Sequence, residues 1–230
     1  VDMLAQLPSV KRVVVVPFLD DKPDISALPN AVLWRDFLGS DSTPAPALTF
    51  VEVPFSHPLF IMYSSGTTGI PKCIVHGHGG TLLQLTKELM LHCDLRPGER
   101  SFYFTTCGWM MWNWLVSALG IGTAVVLYEG NPGHPTIHRL WEFAEKHQVN
   151  LFGTSPKYLG AVQKAGVHPG QEHDLCALRI MCSTGSPLSE ELFEWVYQEV
   201  KRDLQLASIC GGTDIISCFI LGNPLLPVYA

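Results

Sequence analysis

The chain has 230 residues, 47% of them hydrophobic and only 16% charged, with a formal net charge of −6. That composition excludes a disordered segment, and the acidic balance excludes a broadly basic nucleic-acid face, so any anion must be held locally by loops and single lysines. Seven cysteines, an odd number without a C-x-x-C pair, read as reduced thiols of a reducing compartment, and no signal peptide or membrane-length apolar run is recognised.

Residues 11–16 (KRVVVV) predict a strand. Residues 17–58 carry many prolines and form the least regular part, with a short helix expected over 31–38. Residues 59–63 and 73–76 read as buried strands on either side of a Gly/Ser/Thr loop. A helix is expected from Thr81, with Leu82, Leu85, Leu89 and His92 on one stripe. Pro97-Gly98 turns the chain, SFYFTTC is a strand, WMMWNWLVSALGIG is a buried helix closed by glycine, and TAVVLY is a strand.

Thr136 is expected to cap IHRLWEFAEKH, VNLF is a strand, and Ser155-Pro156 opens KYLGAVQKAG with proline in the first turn. LRIMCS is a strand, Ser189 caps EELFEWVYQEVKRDL, and LQLASIC is a further strand. Strands alternating with helices at these lengths predict an α/β fold, a mostly parallel sheet with flanking helices.

The loop YSSGTTGIPK (63–72) concentrates Ser64, Ser65, Gly66, Thr67, Thr68 and Gly69 beside Lys72. Backbone N–H groups and hydroxyls of such a loop can face an anion, and lysine adds full charge. Gly66 and Gly69 stand too close together for a P-loop, and Lys72 follows a proline. An ordinary glycine-rich hairpin turn is the alternative. Three other strand ends run into unusual loops: Thr184-Gly185-Ser186-Pro187, Gly211-Gly212-Thr213-Asp214 and Gly108-Trp109. In parallel sheets ligands gather at the carboxyl ends of strands.

The string Ser-Gly-Thr-Thr-Gly-x-Pro-Lys (65–72) resembles the phosphate-binding signature of the adenylate-forming superfamily, which includes acyl-CoA synthetases, luciferases and peptide-synthetase adenylation domains. The strings YSSGTTGIPKCIVH, GWMMWNW and GGTDIISCF together are most similar to its acetoacetate–CoA ligase branch. The resemblance spans nearly the whole chain, in order. It implies the large N-terminal domain of that fold, incomplete here: a Pro-rich lead-in over 1–58 with one strand, the core of the AMP-binding domain over 59–230, and no C-terminal lid domain. It implies ATP, Mg²⁺ and coenzyme A as ligands, acetoacetate as the acid, no nucleic-acid partner, and a cytosolic role in lipid and ketone-body metabolism.

Residue by residue, the resemblance implies that Ser64, Ser65, Gly66, Thr67, Thr68, Gly69 and Lys72 hold the ATP phosphates. Gly185, Ser186 and Pro187 lie against adenine, and Gly211, Gly212 and Thr213 complete the AMP site. Thr213 and Lys72 act on the phosphates, and Asp214, where relatives carry glutamate, faces magnesium. Trp109, Met110, Met111, Thr184 and Gly211 enclose the acid, with Gly211 replacing a tryptophan that walls the pocket of acetate-specific relatives. Asn113 or the Trp109 indole N–H is the candidate donor for the 3-keto oxygen. Cys73 departs from the family's glycine, with no consequence that can be argued.

The remaining candidates carry less. His76-x-His78 could bind a metal or be structural, and His134 and His138 could pair on a helix or face solvent. Cys107 and Cys210 lie near the loops, yet nothing local marks either as a nucleophile. The chain begins at Val1 and stops at NPLLPVYA, which predicts a fragment of a longer chain, inactive and poorly folded by itself. A non-catalytic nucleotide-binding remnant and a ligase for another short-chain acid are the alternatives to acetoacetate activation.

Overall fold

The computed structural model describes residues 2–39, 46–64 and 69–229, so Ser65, Gly66, Thr67 and Thr68 of the candidate phosphate loop lie outside the described residues. Two compact units divide between Glu52 and Val53. In the first, α1 (Asp2–Ala5) precedes β1 (Val13–Val15), β2 (Ala31–Leu33) and α2 (Trp34–Leu38). In place of one strand and a helix over 31–38, Ala31–Leu33 pairs in parallel with Val13–Val15, and helix begins only at Trp34. Three β-branched valines favour an extended partner over a longer helix.

The second unit starts with an antiparallel ribbon of β3 (Pro58–Ser64) and β4 (Lys72–Gly77). These strands are not buried as expected: Ile61, Tyr63 and Val75 are each more than half exposed. A two-stranded ribbon packs one face only, so Phe60 and Met62 meet the core while their neighbours turn outward. α3 (His78–Lys87) follows at once, three residues ahead of the predicted start, and its last turn, Glu88–His92, widens to π geometry. The buried stripe is Thr81, Leu85, Glu88 and Leu89, and Leu82 faces outward.

Next in order come β5 (Arg100–Tyr103), α4 (Met110–Val116), β6 (Ala124–Val125), α5 (Arg139–Lys146), β7 (Leu151–Thr154), α6 (Pro156–Lys164) and α7 (Pro169–Glu172). Then come β8 (Ile180–Ser183), α8 (Glu190–Trp195), β9 (Gln205–Ser208), β10 (Cys210–Gly212) and β11 (Ser217–Ile220). Five strands make one parallel sheet in the order β6-β5-β7-β8-β9, in agreement with the predicted α/β class. α4 closes through a tighter turn at Gly122, whose φ of +80° suits glycine, as the sequence predicts.

Alternation along the strands divides two cores. Phe102, Phe152, Met181 and Leu206 point to one face and meet α5, α6 and α8 through Trp141, Leu159 and Phe193. Tyr103, Leu151, Ile180, Cys182 and Ala207 point to the other and meet α3 and α4 through Leu85, Leu89 and Trp114. Because both faces of the sheet are covered, every residue of β7 and β8 is buried.

Local signals fail where a tertiary partner is stronger. Thr136 does not cap α5: the helix starts at Arg139, whose N–H bonds the Thr136 carbonyl, and His138 occupies the cap position without a side-chain capping bond. VNLF is displaced to Leu151–Thr154, in register with β8, and only two residues of TAVVLY pair, at the sheet edge. Ser155 and Ser189 do cap, their hydroxyls accepting the N–H of Tyr158 and Leu192 at 3.3 Å. Ser189→Ala is expected to lower stability by about 1 kcal/mol, read as a fall in urea midpoint at unchanged slope.

Candidate functional site

The carboxyl ends of β5, β8 and β9 supply the loops singled out by sequence. Beyond β5 the chain runs through Gly108 to Trp109, an extended residue at the cap position of α4, which brings in Met110, Met111 and Trp114. Beyond β8, the Thr184 hydroxyl donates to the Ile209 carbonyl at 2.7 Å, tying the ends of β8 and β9 together. Gly185 then takes φ +102°, a conformation that favours glycine, and Ser186 and Pro187 emerge exposed. Beyond β9, β10 turns back against β11 with a register shift between Cys210 and Gly211.

Two cavities meet here. One of about 840 Å³ is lined by Gly185, Ser186, Pro187, Gly211, Trp109 and Thr184, among others. The other, about 110 Å³, is lined by all five residues expected around the acid, Trp109, Met110, Met111, Thr184 and Gly211, and by Gly212 and Thr213. Trp109, Thr184 and Gly211 border both, so a group in the small cavity adjoins whatever fills the large one. Asn113 does not line either; its carbonyl accepts the Ser117 hydroxyl at 2.8 Å.

Lys72 and Ser64 face each other in the register of the β3–β4 ribbon, and Gly69 turns between them with φ +82°. The same ribbon is tied to the β10 loop: His76 Nε2–H donates to the Thr213 carbonyl at 2.8 Å, which gives His76 a structural role. Thr213 is half-buried and Asp214 exposed. His134 and His138 do not pair on a helix. His134 lies in the loop before α5, and His138 sits 3.3 Å from His173, which in turn contacts Glu145 at 3.1 Å. Cys107 and Cys210 are exposed free thiols.

The small cavity has a polar wall that sequence reasoning missed. Glu88 is 1% exposed and lines it together with Trp114, Ser217 and Cys218. One carboxylate oxygen accepts the Trp114 indole N–H at 3.0 Å. The other accepts the Cys218 N–H at 3.2 Å, the Gln84 amide at 2.8 Å and the Ser217 hydroxyl. Gln84 also donates to Ser217. Burial, and then the Glu88 charge, push the Cys218 thiol up to about 12, so it is a protonated wall group and no nucleophile. The signal was present: Glu88 is the one carboxylate in the stripe of Thr81, Leu85 and Leu89.

Comparison with known proteins gives a family and a set of relatives. The family model described as AMP-binding enzyme matches residues 2–227. The acetoacetyl-coenzyme A synthetase of Rhizobium meliloti (strain 1021) is 54% identical over 217 residues, covering 94% of this chain and 33% of that protein. The acetoacetyl-CoA synthetase of Gallus gallus is 48% identical, covering 97% of this chain and 34% of its own length. The malonamoyl-CoA synthetase of Penicillium aethiopicum is 38% identical, covering 100% and 34%. A solved structure, acetoacetyl-CoA synthetase from Streptomyces lividans, superposes with a TM-score of 0.86 at 44% identity, covering 99% of this chain and 35% of that one. The chain thus spans about a third of the length of the curated relatives it matches.

Proposed function

The chain belongs to the AMP-binding enzyme family, and from that premise we propose that it carries acid- and nucleotide-binding parts of an ATP-dependent ligase joining acetoacetate to coenzyme A. The observation that carries this reading is the pair of cavities sharing Trp109, Thr184 and Gly211, which would seat a short acid beside a nucleotide. The larger has the size usual for small-molecule sites. Relatives named for acetoacetyl-CoA synthesis support the choice of acid. The reaction is assigned to the full-length protein, in the cytosol and in the metabolism of ketone bodies and lipids. No helix among the described residues is long and apolar enough to cross a membrane.

In the proposed reaction the acetoacetate carboxylate attacks the α-phosphorus of ATP, a P–O bond forms, and pyrophosphate leaves with the electron pair of the broken bond. The acyl-adenylate is then attacked at its carbonyl by the coenzyme A sulfur, the thiol proton is lost, and AMP departs. Two anions approach in the first step, so donors and cations must offset charge that peaks in the transition state. Ser64, Ser65, Gly66, Thr67, Thr68, Gly69 and Lys72 would hold the β- and γ-phosphates, and Thr213 the α-phosphate. Gly185, Ser186 and Pro187 would lie along adenine, with Gly211 and Gly212 completing the AMP site.

Among the described residues no three His, Cys, Asp or Glu side chains form a ready metal cage. Magnesium keeps its waters and binds through one or two carboxylates plus substrate phosphates, which suits the exposed Asp214 beside Thr213. When bound, it would neutralise phosphate charge. The similarity to a malonamoyl-CoA synthetase favours a second acid of the same length, malonamate, whose far end is also neutral and polar.

The test is Lys72→Ala in the full-length protein, followed by ATP–pyrophosphate exchange with acetoacetate. Loss of about 1.5–3 kcal/mol of transition-state stabilisation, roughly ten- to a hundredfold in rate, is expected for one charged hydrogen bond. Exchange at the unmodified rate would overturn the assignment of this ribbon to phosphate.

A further inference from the structure

We infer that Glu88 is a charge filter for the acid: it makes the small cavity accept acids with a neutral far end and reject those bearing a second carboxylate. The inference rests on the proposed acid site and adds to it the chemical class admitted. Glu88 is buried and lines the cavity, and its partners Gln84, Trp114, Ser217 and Cys218 are all uncharged at their contacting atoms. The Trp114 indole N–H and the Cys218 backbone N–H can only donate, and they address different oxygens of the carboxylate. Both oxygens are therefore acceptors, the arrangement that an ionised carboxylate satisfies.

Among the described residues no cation contacts that carboxylate, and its field enters a small space whose other lining, from Met110, Met111 and Trp109 to Thr184 and Thr213, carries no charge. A second carboxylate placed there would meet a like charge across a few ångströms with little water to screen it. A methyl ketone or an amide carries no such penalty, and an amide N–H would be attracted. Anchoring of Glu88 from β11 and α4 at once keeps the carboxylate from swinging away.

Acetoacetate, malonamate and malonate share one CH₂–carboxylate and are nearly equal in size, differing in a far methyl ketone, amide or carboxylate. Adenylation of the three by the full-length protein separates charge from size. Wild type is expected to use malonate at about a hundredth or less of the acetoacetate kcat/KM, and Glu88→Gln to narrow that gap by about tenfold or more. In that variant the amide NH₂ can be left facing the Trp114 N–H. The double variant Glu88→Gln/Trp114→Phe removes the conflict and carries the same expectation. Malonate used by wild type as readily as acetoacetate overturns the filter, as does an unchanged ratio in either folded variant. Adenylation of none of the three acids overturns the proposed function, and the filter with it.

Discussion

Replacing Trp114 by alanine is expected to remove about 3–5 kcal/mol of stability, the range for truncating a large aromatic in a packed core. Trp114 is 2% exposed, meets Tyr103 edge-on with ring centroids 6.0 Å apart, and belongs to the core cluster of α3 and α4. Its indole N–H is also a fixed donor to Glu88. Alanine therefore opens a cavity and takes a hydrogen bond from a buried carboxylate, two costs that act at one place. Trp114→Phe separates them: most of the volume stays, and the lost donor should cost about 1–3 kcal/mol. Urea titration of both variants reads the difference. A Trp114→Ala unfolding free energy within about 1 kcal/mol of wild type would mean that the indole neither packs nor bonds as described.

Gly211→Trp is expected to destroy acetoacetate adenylation by displacing a strand, and Gly211→Ala should already be damaging. By the resemblance alone, glycine here would simply leave out a tryptophan wall and enlarge the pocket. In the fold, a Cβ at Gly211 would lie 2.2 Å from the Ser217 carbonyl oxygen and 2.7 Å from the Cys218 Cα, both backbone atoms of β11. Backbone cannot swing aside as a side chain can, so β11 itself must move. That strand carries Ser217 and Cys218, which hold Glu88 in the cavity wall.

Overpacking of this kind costs about 1–3 kcal/mol for one methyl group and more for an indole. Thermal melts and an acid panel on both variants distinguish the accounts. Strand displacement predicts that Gly211→Ala loses stability and turnover together, for every acid tested. A Gly211→Trp protein with wild-type Tm that prefers acetate over acetoacetate would restore the explanation by size.

The α/β class, the parallel sheet and the loops at its carboxyl end were legible in the sequence, because they rest on local regularities. Apolar runs such as LRIMCS, the Ser155 and Ser189 caps, and glycine at 122 and 185 each state a backbone requirement within a few residues. The five residues expected around the acid were named from a resemblance and line one cavity. What no local pattern carried were the features set by distant partners. Packing of α3 against α4 and β11 decides that Thr81 and Glu88, and not Leu82, join Leu85 and Leu89 on the inward face. Glu88 then meets Ser217 and Cys218 about 130 positions along the chain, a pairing that only the packing of α3 against β11 creates. The need for glycine at 211 likewise comes from the close approach of β11, which no residue beside it in sequence announces. Sequence by itself determined where backbone turns and which runs are apolar, since those energies are local. Tertiary structure decided which charges and backbones meet, since burial makes those contacts matter and burial belongs to the whole fold.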